Sequence, residues 1–191
     1  MAYVASICGK ITNSIEIVCD TPLQAGTKDK AKVLNLSDIG ISTRNATTGA
    51  VEAFTNLVPG TAAVIDGQRN SIAPTFNKVP KGPFSMYDHE VACMGFDLSP
   101  EIKNDLEKGA DGQYVVVVEN FFKGTDGNAA FEIYGLDNGM ELTELSRDPN
   151  SQDTQGAFSI KFMSEVNSEP RMPATLFITD YTTTKAVFDA L

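Results

Sequence analysis

The residues with the best claim to chemistry are Glu119 and Asn120, which follow four consecutive valines after Tyr114. A carboxylate at the end of an apolar run can act as a general base when a partner group converges on it. No residue at a recognisable catalytic spacing supplies that partner. The alternative is that the pair ends a strand where apolar burial stops, with Asn as the turn former, and that reading is preferred. The single histidine, His89, has a carboxylate on each side, Asp88 and Glu90. Neighbours in a strand point to opposite faces, so the two cannot both orient the imidazole. No second histidine exists to complete a metal pair, and His89 is read as a structural or subunit-interface residue.

Weaker patterns give the same answer. Asp148 to Asp153 has the look of a calcium loop, but it lacks the central glycine and the distal bidentate glutamate, and a solvated turn is expected. Cys8, Cys19 and Cys93 are odd in number and match no zinc or redox spacing, which suits buried free thiols. Asn45-Ala46-Thr47 fits a glycosylation sequon and is read as a chance match, because no secretory signal is apparent. Neither a GxSxG serine nor a phosphate-cradling glycine run occurs. No catalytic residue, metal site or cofactor is expected, and the chain is not read as an enzyme.

The elements that carry these residues are mostly short strands. Ile15–Val18 and Lys32–Leu36 read as strands, with a loop over Thr21–Gly26 between them. Val51–Phe54 and Thr61–Ile65 flank turn formers and suggest a hairpin. Residues 68–88 form an irregular arm, punctuated by Asn70, Pro74, Asn77, Pro80, Gly82 and Pro83 too often for a central strand. One helix, about 99–108, is well marked: Ser99 caps it, Pro100 takes the first position, Glu101 favours the positive end and Gly109 stops it. Strands then follow at Tyr114–Glu119, Ala130–Tyr134, Glu141–Leu145 and Ala157–Met163, the first two turned at Asp126-Gly127. Asp180 caps a short C-terminal helix. The sum is a single mainly β domain over 1–191, an antiparallel β-sandwich or barrel with one flanking α-helix and a short C-terminal helix.

Composition narrows the function. At 191 residues the chain buries roughly 70% of its unfolded surface and needs no staple. No apolar run approaches the ~20 residues of a membrane helix. A net charge of -10 with no basic cluster makes tight DNA binding unattractive, because phosphate neutralisation dominates that affinity. The opening MAYVASICGK has no basic residue before its apolar run, and Ile7 is too bulky for a lipoprotein signal at Cys8, so synthesis and retention in a cytoplasm before assembly are expected.

A resemblance joins these observations. The series Val117-Val118-Glu119-Asn120, Lys123-Gly124, Gly127, Phe131 to Gly135, Gly139-Met140 and Asp153 to Phe158 resembles phage virion proteins of Bacteroidota phages and prophages. Ile7-Cys8-Gly9, Leu34-Asn35, Asp38-Ile39, His89-Glu90-Val91 and the ending Thr179 to Leu191 fit the same pattern. The likeness covers nearly the whole chain and points to tail tube (major tail) proteins. It implies self-association into stacked hexameric rings, contact with other tail or connector proteins, and genomic DNA passing through the lumen without tight binding. It also implies a place in the virion tail, after assembly in the host cytoplasm. Phe121, Phe122, His89 and Tyr181 then become candidate interface residues, and Glu132, Glu141 and Thr143 candidate lumen residues. The segment Gly40 to Gly49 competes with the 68–88 arm as the stacking loop. The rival readings are a head decoration or head-tail connector protein, and a ligand- or glycan-binding β module. The absence of Trp, a common sugar-stacking residue, counts against the latter.

Overall fold

Val115, Val116, Val117 and Val118 are all fully buried, so the strand that carries them has no solvent face. A continuous apolar run is what a strand needs when both of its faces are covered. In the computed structural model, which describes residue 15 and residues 23–68, 70–82 and 84–191, this strand is the centre of the fold. The described chain runs β1 (Thr27–Asn35), β2 (Ile39–Arg44), β3 (Val51–Asn56), β4 (Ala63–Asp66), β5 (Ile72–Lys81), β6 (Phe84–Gly95) and α1 (Pro100–Lys108). It continues β7 (Gln113–Asn120), β8 (Phe131–Tyr134), β9 (Met140–Arg147), β10 (Phe158–Met163), β11 (Ala174–Leu176) and α2 (Tyr181–Ala190).

Two layers grow from β7. One has the order β2-β3-β11-β8-β7, continued by β1 and β4 on the far side of β7. The other, β9-β10-β6-β5, joins at the start of β7 through Gln113↔Glu141 and Tyr114↔Met140. Val116 and Val118 point between the layers, into a core with Val91, Cys93, Ile160 and Phe162. Val115 and Val117 point the other way, toward Phe131, Leu176, Phe188 and Leu191 beneath α2. Each buried valine contributes on the order of 2 kcal/mol relative to exposure. The mainly β sandwich with two short helices is therefore as expected, although one pairing, Leu176↔Val51, is parallel.

Both helices follow their sequence signals. Ser99 Oγ accepts from the Ile102 N–H at 3.4 Å, and Gly109 ends α1. Asp180 accepts from the Thr183 N–H at 2.8 Å and opens α2. β7 and β8 do form a hairpin, Val116↔Tyr134 to Glu119↔Phe131. Gly127, at φ 89°, sits in its connection, where a Cβ would come within 2.5 Å of the Tyr181 Cβ.

Two expectations give way. The irregular arm at 68–88 is a regular hairpin: β5 pairs with β6 from Ile72↔Cys93 to Lys81↔Phe84, turned at Gly82 with φ 65°. Pro74 and Pro80 fit because β5 is an edge strand among the described residues. The Met94 N–H donates to the Ser71 carbonyl, so by alternation the even positions of β5, Pro74 and Pro80 among them, turn outward where no N–H is needed. The hairpin expected between Val51–Phe54 and Thr61–Ile65 does not form. β3 pairs with β2 and β11, whereas β4 pairs with β1. The reason lies in burial, since Val51 and Phe54 are drawn into the core under α2 while β4 stays at the surface. In the segment Gly40–Gly49, β2 occupies the first half and Asn45 Oδ1 folds the turn by accepting from the Thr47 and Thr48 N–H groups. The strand expected at Ile15–Val18, and Cys8 and Cys19, lie outside the described residues apart from Ile15.

Candidate functional site

Glu119 is where sequence and structure part most instructively. It closes β7 as expected, but burial does not stop there: Glu119 is only 3% exposed. Its Oε1 accepts from Lys28 Nζ at 2.5 Å and from the Tyr181 hydroxyl at 2.6 Å, and Lys185 Nζ lies 4.0 Å from Oε2. Burial works against the Lys28 charge, yet the hydrogen bonds it donates to Glu119 and Tyr181 outweigh it and hold its pKa above the usual lysine value. The cluster joins β1, β7 and α2. Through these contacts the carboxylate docks the C-terminal helix. Tyr181 completes the dock by stacking on Phe131, with centroids 5.8 Å apart, beneath Lys123 at 3.6 Å from its ring. Lys28 and Lys185 carried no signal in the sequence, since a partner 91 residues away is invisible to local pattern.

His89, a candidate interface residue, is interior at 2% exposure. Its Nδ1 accepts from the Gly135 N–H, and its Nε2 donates to the Arg171 carbonyl, each at 3.0 Å. An acceptor at one nitrogen and a donor at the other require the neutral ring. Burial pushes its pKa down to about 4, against the opposing pull of the Arg171 carbonyl, Asp137 and Asp88. Glu169, which no sequence signal marks, lies beside it in the fold. Its carboxylate accepts from the Asp137, Asn138 and Gly139 N–H groups at 2.9 to 3.1 Å. Burial raises its pKa in spite of those bonds. The two side chains thus pin the 135–139 turn to the segment before β11.

The other candidates stay apart from these clusters. Phe121 packs over Gly26 and remains partly exposed, while Phe122 is half-buried beside Thr27 and Pro74. Glu132 is half-buried and accepts from the Tyr134 hydroxyl at 2.7 Å. Glu141 is half-buried and Thr143 exposed, and Thr143 is the extra residue of a bulge between Phe162↔Leu142 and Lys161↔Glu144. Cys93 is buried, which pushes its thiol up to about 12 and keeps it unreactive. Asp148 folds a turn by accepting from the Asn150 N–H.

The unsatisfied features are at the rims of the sheet. Among the described residues β2, β4 and β5 each pair on one side only. β2 exposes Ile41, β4 exposes Val64, and β5 exposes Phe76. Toward its turn the β5–β6 hairpin is largely exposed, with Phe84 at 72%. No helix among the described residues is long and apolar enough to cross a membrane. No family model, curated protein or solved structure was found to match this chain.

Proposed function

We propose that this chain is a structural protein of a bacteriophage virion, namely the tail tube subunit, whose copies close into hexameric rings that stack into a conduit for DNA. The observation that carries the reading is that, among the described residues, β2, β4 and β5 each pair on one side only in a sheet of eleven strands. Edges of this kind invite pairing with other chains, and closing them between copies removes the hazard. The buried polar clusters support a scaffold more than a catalyst, since Glu119, His89 and Glu169 all have their hydrogen bonds taken within the subunit.

Charge supports the conduit. Six copies at -10 each make -60, and an acidic lumen lets a polyphosphate slide where lysines and arginines would hold it. The same charge sets a condition on assembly: interfaces have to be extensive enough to outweigh repulsion, in the range of roughly 2,000 Å² or more found in obligate assemblies. Negative-stain microscopy of the purified protein, over a range of concentration and salt, tests the reading. Rings or tubes are expected, and a monomer under every condition would overturn it.

A further inference from the structure

Asn138-Gly139 is the only Asn-Gly step in the chain. Asparagine is thermolabile, most of all before glycine, whose backbone nitrogen meets no side-chain hindrance as it attacks the carboxamide. The glycine is not optional here. Gly139 has φ 82°, and a Cβ on it would lie 3.2 Å from both Gln113 Cβ and Leu36 Cδ2. The turn from β8 into β9 therefore requires the residue that makes its asparagine reactive.

Both reacting groups are held by the segment before β11. The Gly139 N–H, whose nitrogen is the attacking atom, donates to Glu169 Oε1 and to the Gly135 carbonyl, each at 3.1 Å. Asn138 Nδ2, the leaving group, donates to the Ser168 carbonyl at 2.7 Å. Ser168 and Glu169 are buried, at 2% and 1% exposure. Their segment is tied down in turn, because Tyr87 and Glu169 exchange backbone hydrogen bonds at 2.8 Å and Ser168 Oγ donates to the Asp88 carboxylate.

We propose that Asn138-Gly139 is a latent deamidation site, silenced by Glu169 and Ser168 while their segment is seated and released when it lifts. The attack needs the Gly139 nitrogen without its proton. A carboxylate 3.1 Å away holds that proton and opposes the negative charge that its loss would leave. The bond from Nδ2 to Ser168 must also break before the leaving group departs. Once freed, the Gly139 nitrogen gives up its proton and bonds to Asn138 Cγ, and the Cγ–Nδ2 bond breaks. Nδ2 takes up one proton in place of the one lost and leaves as ammonia. The cyclic imide then adds one water and opens to an aspartyl or isoaspartyl linkage.

The product does not fit the seat. A carboxylate at position 138 sets an acceptor against the Ser168 carbonyl and a second negative charge beside Glu169. An isoaspartyl linkage also adds a carbon to the main chain just before Gly139 and Met140. Met140 pairs with Tyr114, and Glu141 with Gln113, where the two layers join. The conversion thus loosens that join, and a single opening of the segment becomes permanent.

The experiment follows Asn138 in the full chain at about pH 8, by peptide mass spectrometry and by methyltransferase labelling of isoaspartate. Asn150-Ser151, in an exposed turn, is the internal reference. In concentrated urea Asn138 is expected to react faster than Asn150. Folding is expected to lower the ratio of the two rates by about ten- to a hundredfold, the scale of a hydrogen bond to a charged group. Glu169→Gln, which removes the charge and keeps the shape, should raise the native rate about tenfold and speed hydrogen exchange at Gly139, with exchange in β7 unchanged. If that variant does not fold, the parent decides. In urea below its unfolding midpoint, deamidation of Asn138 and hydrogen exchange of Gly139 should rise in proportion, because both act at one amide. Native Asn138 reacting as fast as in urea, a folded Glu169→Gln with the parent's rate, or deamidation that does not track Gly139 exchange would overturn the proposal. The deamidated chain, separated by its added charge, is expected to keep fast exchange at Gly139; a return to the parent's protection would overturn the one-way step.

Discussion

The His89 imidazole accepts from the Gly135 N–H at 3.0 Å and so ties the middle of β6 to the turn that follows β8. The bond requires a neutral ring, and the buried site keeps it neutral down to about pH 4. In the unfolded chain the same residue takes up a proton near pH 6.5. Between those values the unfolded state holds more protons, so stability rises with pH across the window. The contribution is complete above about 6.5 and lost as pH falls toward 4, on the order of 3 kcal/mol in all. Glu169 has the opposite sign, because its raised pKa favours the folded state as it takes up a proton. Urea unfolding of the parent and of His89→Gln from pH 4 to 7 separates the two. The gap between them is expected to shrink as pH falls, and a constant gap would contradict the assignment.

Tyr181→Phe removes one of the two short hydrogen bonds on the Glu119 carboxylate. Glu119→Gln removes its charge and unpairs Lys28 as well. Hydrogen bonds to charged groups contribute about 1.5–3 kcal/mol, so the first variant should lose about that much and the second more. Hydrogen exchange should locate the loss in α2 before the sheet, because β1 and β7 are also held together by their backbone ladder.

Gly127 is a backbone requirement. Alanine there meets both a left-handed φ of 89° and a clash with the Cα and Cβ of Tyr181. The backbone conformation alone costs about 1–2 kcal/mol, and the displaced helix adds to it. Gly82, with φ 65° and open space around it, carries only the conformational part. Thermal melts of Gly127→Ala and Gly82→Ala should therefore differ clearly, with Gly127→Ala the less stable.

Assembly should respond strongly to salt. Copies that each carry -10 repel one another, and the screening length falls from ~30 Å at 0.01 M to ~3 Å at 1 M. Light scattering is expected to show association rising with salt. Ile41→Lys places a charge on the exposed edge strand β2 and should reduce that association while leaving the melt within about 0.5 kcal/mol of the parent. Association unaffected by Ile41→Lys would take β2 out of the proposed assembly surface.

Local pattern was enough wherever the physics is local. The Ser99-Pro100 start of α1, the Asp180 cap of α2, the alternation of Phe158, Ile160 and Phe162 and the hairpin from β7 to β8 all depend on residues a few positions apart. The proline-rich segment misled because an edge and a centre impose different rules on the same residue. Pro74 and Pro80 exclude a central strand, yet they fit β5, whose outward positions need no donor.

The remaining decisions were made by neighbours distant in the chain. By itself the sequence determined a β-rich domain, its two helices, its acidity and the apolar run at its centre. Only the tertiary structure decided that Val115 to Val118 face two different cores, that β3 pairs with β2 and β11 instead of β4, and that Glu119 is buried with Lys28 and Tyr181. The reason is that a carboxylate's role follows from the groups that surround it. Glu119 and Tyr181 stand 62 residues apart, and folding alone brings their oxygens to 2.6 Å.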